Sequence, residues 1–319
     1  MNFYLLPHFD FHRTKVSCNT IQTYLSEQTN LLLQMINDGI ASASIFMNAQ
    51  LCMSLLSIDS KNLLNKMNES LVVDEKCHAY SYEFASQLYK FEGQSKQNDV
   101  YTEYYHWIIS VINGNDLTNQ KINNIKEYVE NSGYIYNKNN SDTQEKYRMK
   151  SELLSQTLMA LEIFQNKAPT PKNTFRILEK KHITPYISAE YMRSRIAGLI
   201  NRPTPHDKND VLHLLENCKS EYGLCDFDSK NKKDDFMGSK KRSERDQTIF
   251  SPLATLHGIY LCETVGLTEL KKDLIDETKK FFDIYSIDIP YYVMRDIPIN
   301  FGPGNTILES IAMQVILSL

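Results

Sequence analysis

His257 is the residue type best suited to proton transfer at neutral pH, and Cys262 follows it by five positions in one apolar helical run. A neutral imidazole in that setting is a candidate general base or metal ligand. The competing reading is a core histidine bonded to a carbonyl, with Cys262 a small buried hydrophobe. Arg193 and Arg195 stand in a second such run. Arginine is costly to bury without an anionic partner. Two residues apart on a helix, the pair points ~200° apart, so the two cannot face one cavity. One is a candidate for the anionic head of a ligand, a diphosphate or carboxylate. The other would pair with Glu190 or an outer-helix carboxylate, and a salt bridge for each is the plainer alternative. Glu309 and Glu83 are polar residues in apolar runs, candidates for general acid or base, or for neutralising an arginine. Tyr80, Tyr82 and Tyr191 fall near the starts of apolar runs, with His78 beside them. Their ring faces could line an apolar chain or stabilise a cation, although aromatics at helical spacing also serve as plain core.

The elements that must position these residues come in a repeated pattern. A helix polar on one side leads through a short Tyr/Gly/Pro/Ile-rich segment into a helix rich in Ala, Leu and Ser, and this recurs six times. The second helices are expected at 44–59, 78–93, 151–166, 187–201, 251–266 and 305–319. The first helices include 20–36, the run from Ser60, the run near Val211 and the run from Glu269, with apolar residues at i, i+3/i+4 and i+7. One-sided helices are expected outside; the uniformly apolar ones are expected to be shielded on most sides. Units of this length stack on their neighbours. Between them, 133–137, 183–188, 222–228 and 287–293 read as extended pieces, broken from helix by Pro185 and Pro290 or turned by Gly133 and Gly223. Little true sheet is expected. A further helix is expected at 101–113. The stretch at about 229–247 is almost wholly polar or charged and has the composition of a solvated loop.

Composition limits the function classes. With 319 residues and 42% hydrophobic content the chain can bury a large core, and no Pro/Gly/Ser linker divides it, so a single domain over 1–319 is expected. A net charge of −4 and a pI near 6.1 argue against a nucleic-acid partner. Six scattered cysteines make neither a CxxC pair nor a disulfide framework. No secretory signal pattern and no apolar stretch of about 20 residues is visible, so a cytoplasmic protein without a membrane span is expected.

The strings at 212–228 and 254–266, and at 122–137 and 155–166, carry a resemblance to a known family. They resemble the repeats of the prenyltransferase and terpenoid-cyclase superfamily, in which an outer helix leads through a Gly/aromatic segment into an inner helix of the form [ST]-Y-x-A-L-x-x-L-x-x-x-G. The resemblance is of pattern and spans nearly the whole chain. It implies an all-α fold, an α/α toroid of six inner and six outer helices around a central cavity. It also implies an apolar or isoprenoid-like substrate with an anionic head. Arg193 or Arg195 would hold the head, the tyrosines would line the chain, and His257 or Glu309 would move protons. The protein prenyltransferases that it resembles pair this fold with a second protein subunit, which makes such a subunit an expected partner class.

The family's catalytic motifs are not matched. Asp226-Phe227-Asp228-Ser229 is the nearest string to DxDD, and Trp107 is the sole tryptophan. Asp74, Cys77 and His78 are what remains of a zinc-binding pattern, so zinc stays open as a cofactor. Four readings therefore stand: a prenyltransferase or terpenoid-cyclase type of enzyme, a non-enzymatic peptide- or partner-binding helical repeat, a tetratricopeptide-like sensor, and a zinc-dependent peptide cyclase. Units of about 34 residues would suit the third, but the spacing here is uneven.

Overall fold

Long runs free of proline and glycine make helix the default local conformation. The computed structural model describes residues 5–10, 14–38, 43–74, 79–82, 154, 158–159, 161–162, 183–226, 250–285 and 303–319. These residues are predominantly helical, and the chain divides into two compact units.

The first unit takes in Asp10–Gly133 and Gly302–Ile307. Its α1, Asn19–Asn37, buries Ile21, Tyr24, Leu25, Thr29, Leu32 and Ile36, an i, i+3/i+4 stripe, and leaves the opposite face polar. That stripe packs on α2, Ala43–Leu55, which is apolar nearly all round and buries Phe46, Met47, Ala49, Leu51 and Cys52. Asp59 accepts from the Lys61 amide at 3.1 Å and opens α3, Lys61–Ser70. One-sided α1 and all-round α2 are the outer and inner types expected from their sequences.

The next element corrects the sequence reading. The run from His78 was expected to open an inner helix. Instead Ala79–Tyr82 forms β2, paired antiparallel with β1, Leu71–Asp74, in the register Leu71↔Tyr82 and Val73↔Tyr80. Leu71-Val72-Val73 and the alternating Tyr80 and Tyr82 are β-formers, and cross-strand pairing outweighs the helical spacing of the tyrosines. Tyr80 and Tyr82 are therefore strand residues.

The second unit takes in Asn2–Phe9, Tyr134–Phe301 and Leu308–Leu319. Its helices are α4 (Ile187–Leu199), α5 (Lys208–Asn217), α6 (Pro252–Val265) and α7 (Thr268–Tyr285), with α8 (Pro303–Ser318) joining from Leu308 onward. Asp207 caps α5 by accepting from the Asp210 amide at 2.8 Å, and α5 buries only Val211, Leu214 and Leu215. Ser251 caps α6, Pro252 occupies its first turn, and Gly266 ends it at φ 73°. Between these ends α6 buries residues on every side, from Ala254 to Cys262, and packs on α4, α5 and α7. α7 again buries one stripe, including Leu274, Thr278 and Phe281. The alternation of one-sided and fully shielded helices thus holds through α5, α6 and α7.

A short antiparallel bridge, Lys219↔Leu224, follows α5. Gly223 turns it at φ 156°, where a Cβ would meet Phe250 and Thr255 at 2.7 Å. The segments at 183–186 and 222–226 are extended or turn-like, as expected. The helix expected at 101–113, the charged loop at 229–247, the extended pieces at 133–137 and 287–293, and His78, Cys77 and Glu83 lie outside the described residues.

Candidate functional site

Arg193 and Arg195 leave α4 on opposite sides, and their surroundings differ accordingly. Arg193 is buried, with Nη1 donating to Glu190 Oε2 at 2.7 Å one helical turn earlier. Glu190 Oε1 accepts from the Thr184 amide at 2.6 Å. His206 Nε2 lies 3.2 Å from both the Glu190 carbonyl and Glu190 Oε2. Burial pushes the His206 imidazole below its ordinary value against the pull of Glu190. A buried carboxylate with three surrounding donors is a structural junction, held by hydrogen bonds that make up for lost hydration. Arg193 is thus committed to Glu190.

Arg195 has a different setting. Its side chain is 38% exposed, and Nε lies 3.5 Å from Glu162 Oε1. Burial works against its charge, but Tyr191, Glu162 and Tyr260 outweigh burial and hold it above its ordinary value. Tyr191, on the same helix, is fully buried, and its hydroxyl is raised well above the usual range, first by burial and then by Glu162.

His257 comes from α6 to face Tyr191. The rings stack with centroids 4.3 Å apart and 8° between planes. Tyr260, one turn on, meets Tyr191 edge-on at 5.1 Å and 82°. His257 Nε2 lies 2.6 Å from the Leu5 carbonyl, which can only accept, so Nε2 carries the proton. Nδ1 then keeps a bare lone pair, buried and without a hydrogen-bond partner among the described residues. Burial lowers the imidazole to about 4, with the Leu5 carbonyl pulling the other way. His257 is therefore neutral at physiological pH, too weak a base to take a proton readily there. At the margin of this group, His8 pairs with Glu263 at 3.1 Å, and Lys271 bonds the same carboxylate. Tyr260 faces His8, ring centroids 6.3 Å apart.

Glu309 sits elsewhere in the unit. Its carboxylate accepts from Ser251 Oγ at 2.8 Å and from the Leu253 amide at 2.7 Å, so it binds the N-terminus of α6 from α8. Burial raises it to about 7 in opposition to those donors, and Asp226 adds to the rise. Asp226 does the equivalent for α4, accepting from the Ser188 amide at 2.7 Å and its hydroxyl at 2.8 Å.

Of the residues singled out from sequence, Tyr191, Arg195 and His257 come together. Arg193 and Glu309 stand apart from them, at a buried junction and at a helix cap. Tyr80 and Tyr82 belong to β2 in the other unit, and His78 is outside the described residues. Glu162, His206, Tyr260 and His8 were missed as participants. The spacing Tyr191–Arg195, one turn, carried a signal for one interaction; nothing local marks Leu5 or His206. Among the described residues, no three His, Cys, Asp or Glu side chains gather as metal ligands, and no helix is long and apolar enough to cross a membrane. No protein-family model, curated protein or solved structure matches the chain.

Proposed function

We propose that this chain is an α/α-toroid protein of the prenyltransferase and terpenoid-cyclase kind that works as a binder. Its ligand is an apolar or isoprenoid-like molecule with an anionic head, held by Arg195 beside Tyr260. One observation carries this reading. Arg195, paired with Glu162, still leaves its side chain 38% exposed beside an aromatic cluster, whereas Arg193, His257 and Glu309 are buried and committed to Glu190, to the Leu5 carbonyl and to the start of α6. A guanidinium presents a planar fork that suits diphosphate or carboxylate oxygens. The partly exposed Tyr260 ring supplies apolar contact for the chain that follows.

The test is calorimetric titration with an isoprenoid diphosphate and with the corresponding isoprenoid alcohol. Arg195→Gln should weaken diphosphate binding about tenfold or more, a loss of roughly 1.4 kcal/mol, and leave the alcohol unchanged. Equal diphosphate affinity in both proteins removes Arg195 from the site.

A further inference from the structure

Cys218 ends α5, and Cys225 stands opposite it across the Lys219↔Leu224 bridge. The Cys225 amide donates to the Cys218 carbonyl at 2.9 Å, and Cys225 Sγ reaches the same oxygen at 3.1 Å. The Ser220 amide donates to the Gly223 carbonyl at 2.8 Å on the far side of the bridge. Cys218 and Cys225 share one of the two bonds of a hydrogen-bonded antiparallel pair, the Cys218 amide donating instead to the Leu214 carbonyl at 3.0 Å; residues facing each other in such a pair have Cα atoms about 5.5 Å apart. That lies inside the roughly 4.4–6.8 Å span a disulfide requires.

We propose that Cys218 and Cys225 form a reversible disulfide by exchange with a glutathione-type disulfide. Cys225 is 5% exposed and Cys218 is wholly buried, so the first attack comes from Cys225. Its thiolate breaks the external disulfide, forming a mixed disulfide and releasing one glutathione thiolate. The Cys218 thiolate then displaces the second glutathione from the Cys225 sulfur. The two protein protons leave with the two released thiols, so two thiols and one external disulfide become one protein disulfide and two external thiols.

The position gives the bond a consequence. The Leu224 carbonyl accepts from the Ser251 amide at 2.9 Å, its amide donates to Thr255 Oγ1 at 2.9 Å, and the Asp226 carbonyl accepts from the Ile187 amide at 3.0 Å. A Cys218–Cys225 link therefore fastens the end of α5 to the strip that holds the starts of α4 and α6. It acts on the two helices that carry Tyr191, Arg195 and His257, without touching any of them.

The full chain is incubated folded with oxidised glutathione, its remaining thiols are alkylated after unfolding, and peptides are read by mass spectrometry. The expected product is a Cys218–Cys225 linked peptide, two hydrogens lighter than the reduced pair and abolished by dithiothreitol. Amide exchange at Ile187 and Ser251 should slow in the linked form. Cys218→Ala should give no linked peptide and retain glutathione on Cys225. Two results overturn the proposal: alkylation of both wild-type cysteines to the level of untreated protein, or stable glutathione on wild-type Cys225 with no linked peptide.

Discussion

Tyr191 lies flat on His257, the two rings 8° from parallel, and so joins α4 to α6 at the centre of the candidate site. Removing either ring leaves a hole that neighbouring side chains only partly fill. Tyr191→Ala should lower unfolding free energy by about 3–5 kcal/mol in urea denaturation. Tyr191→Phe, which keeps the stack, should cost far less. Equal losses from the two variants would show that the hydroxyl, and not the ring, carries the contribution.

Glu309 and His257 should push stability in opposite directions with pH. The Glu309 carboxyl rises from 4.5 to about 7 on folding, so its contribution is present at low pH and is lost as pH climbs through that window. The His257 imidazole falls from 6.5 to about 4, so its contribution is present above 6.5 and is lost as pH drops towards 4. His8 and His206 are also lowered and act in the same direction as His257. Urea midpoints between about pH 4.5 and 7 should therefore climb more steeply with pH in Glu309→Gln than in the native chain. His257→Phe should flatten the climb. A native slope unchanged in both variants would remove these two groups as its source.

The Glu190–Arg193 junction should behave as a unit. Arg193→Met leaves a buried carboxylate without its guanidinium and should cost about 3–5 kcal/mol. Adding Glu190→Gln removes the stranded charge, and the double variant should regain much of that loss. The coupling is read by a double-mutant cycle in urea. Strict additivity would mean that the two side chains do not depend on each other.

Ser251 serves both its own helix and its neighbour. Its hydroxyl accepts from the Ala254 amide at 3.0 Å and donates to Glu309. Ser251→Ala should cost about 1–2 kcal/mol by chemical denaturation. Ser251→Asp keeps the cap but sets a second carboxylate against Glu309. It should therefore be less stable at pH 7 than at pH 5, the opposite of what a cap alone would give.

Much of the local architecture was legible because helical period reports which side of a segment is shielded. One-sided α5 and α7 around all-round apolar α6 follow from that rule, as does α1 against α2. The Glu190–Arg193 contact was within reach for the same reason, since one helical turn is a sequence distance. The Leu5 carbonyl against His257 was not, because a backbone acceptor has no residue type to mark it and the two positions are 252 residues apart. Nor was the role of His206, which reaches Glu190 from the loop before α5. Tyr80 and Tyr82 were misread because alternate positions along a strand and positions one or two apart on a helix overlap in so short a run. Periodicity says that a face is covered, not what covers it, so it cannot by itself report whether successive pairs close into a ring.

The bond from His257 to Leu5 also bears on how the protein is made. Leu5 emerges from the ribosome long before the helix that receives it exists. Until α6 has been synthesised, the nascent chain must keep that early segment from settling on another apolar surface. This contact in the second unit thus forms only after α6 has left the ribosome.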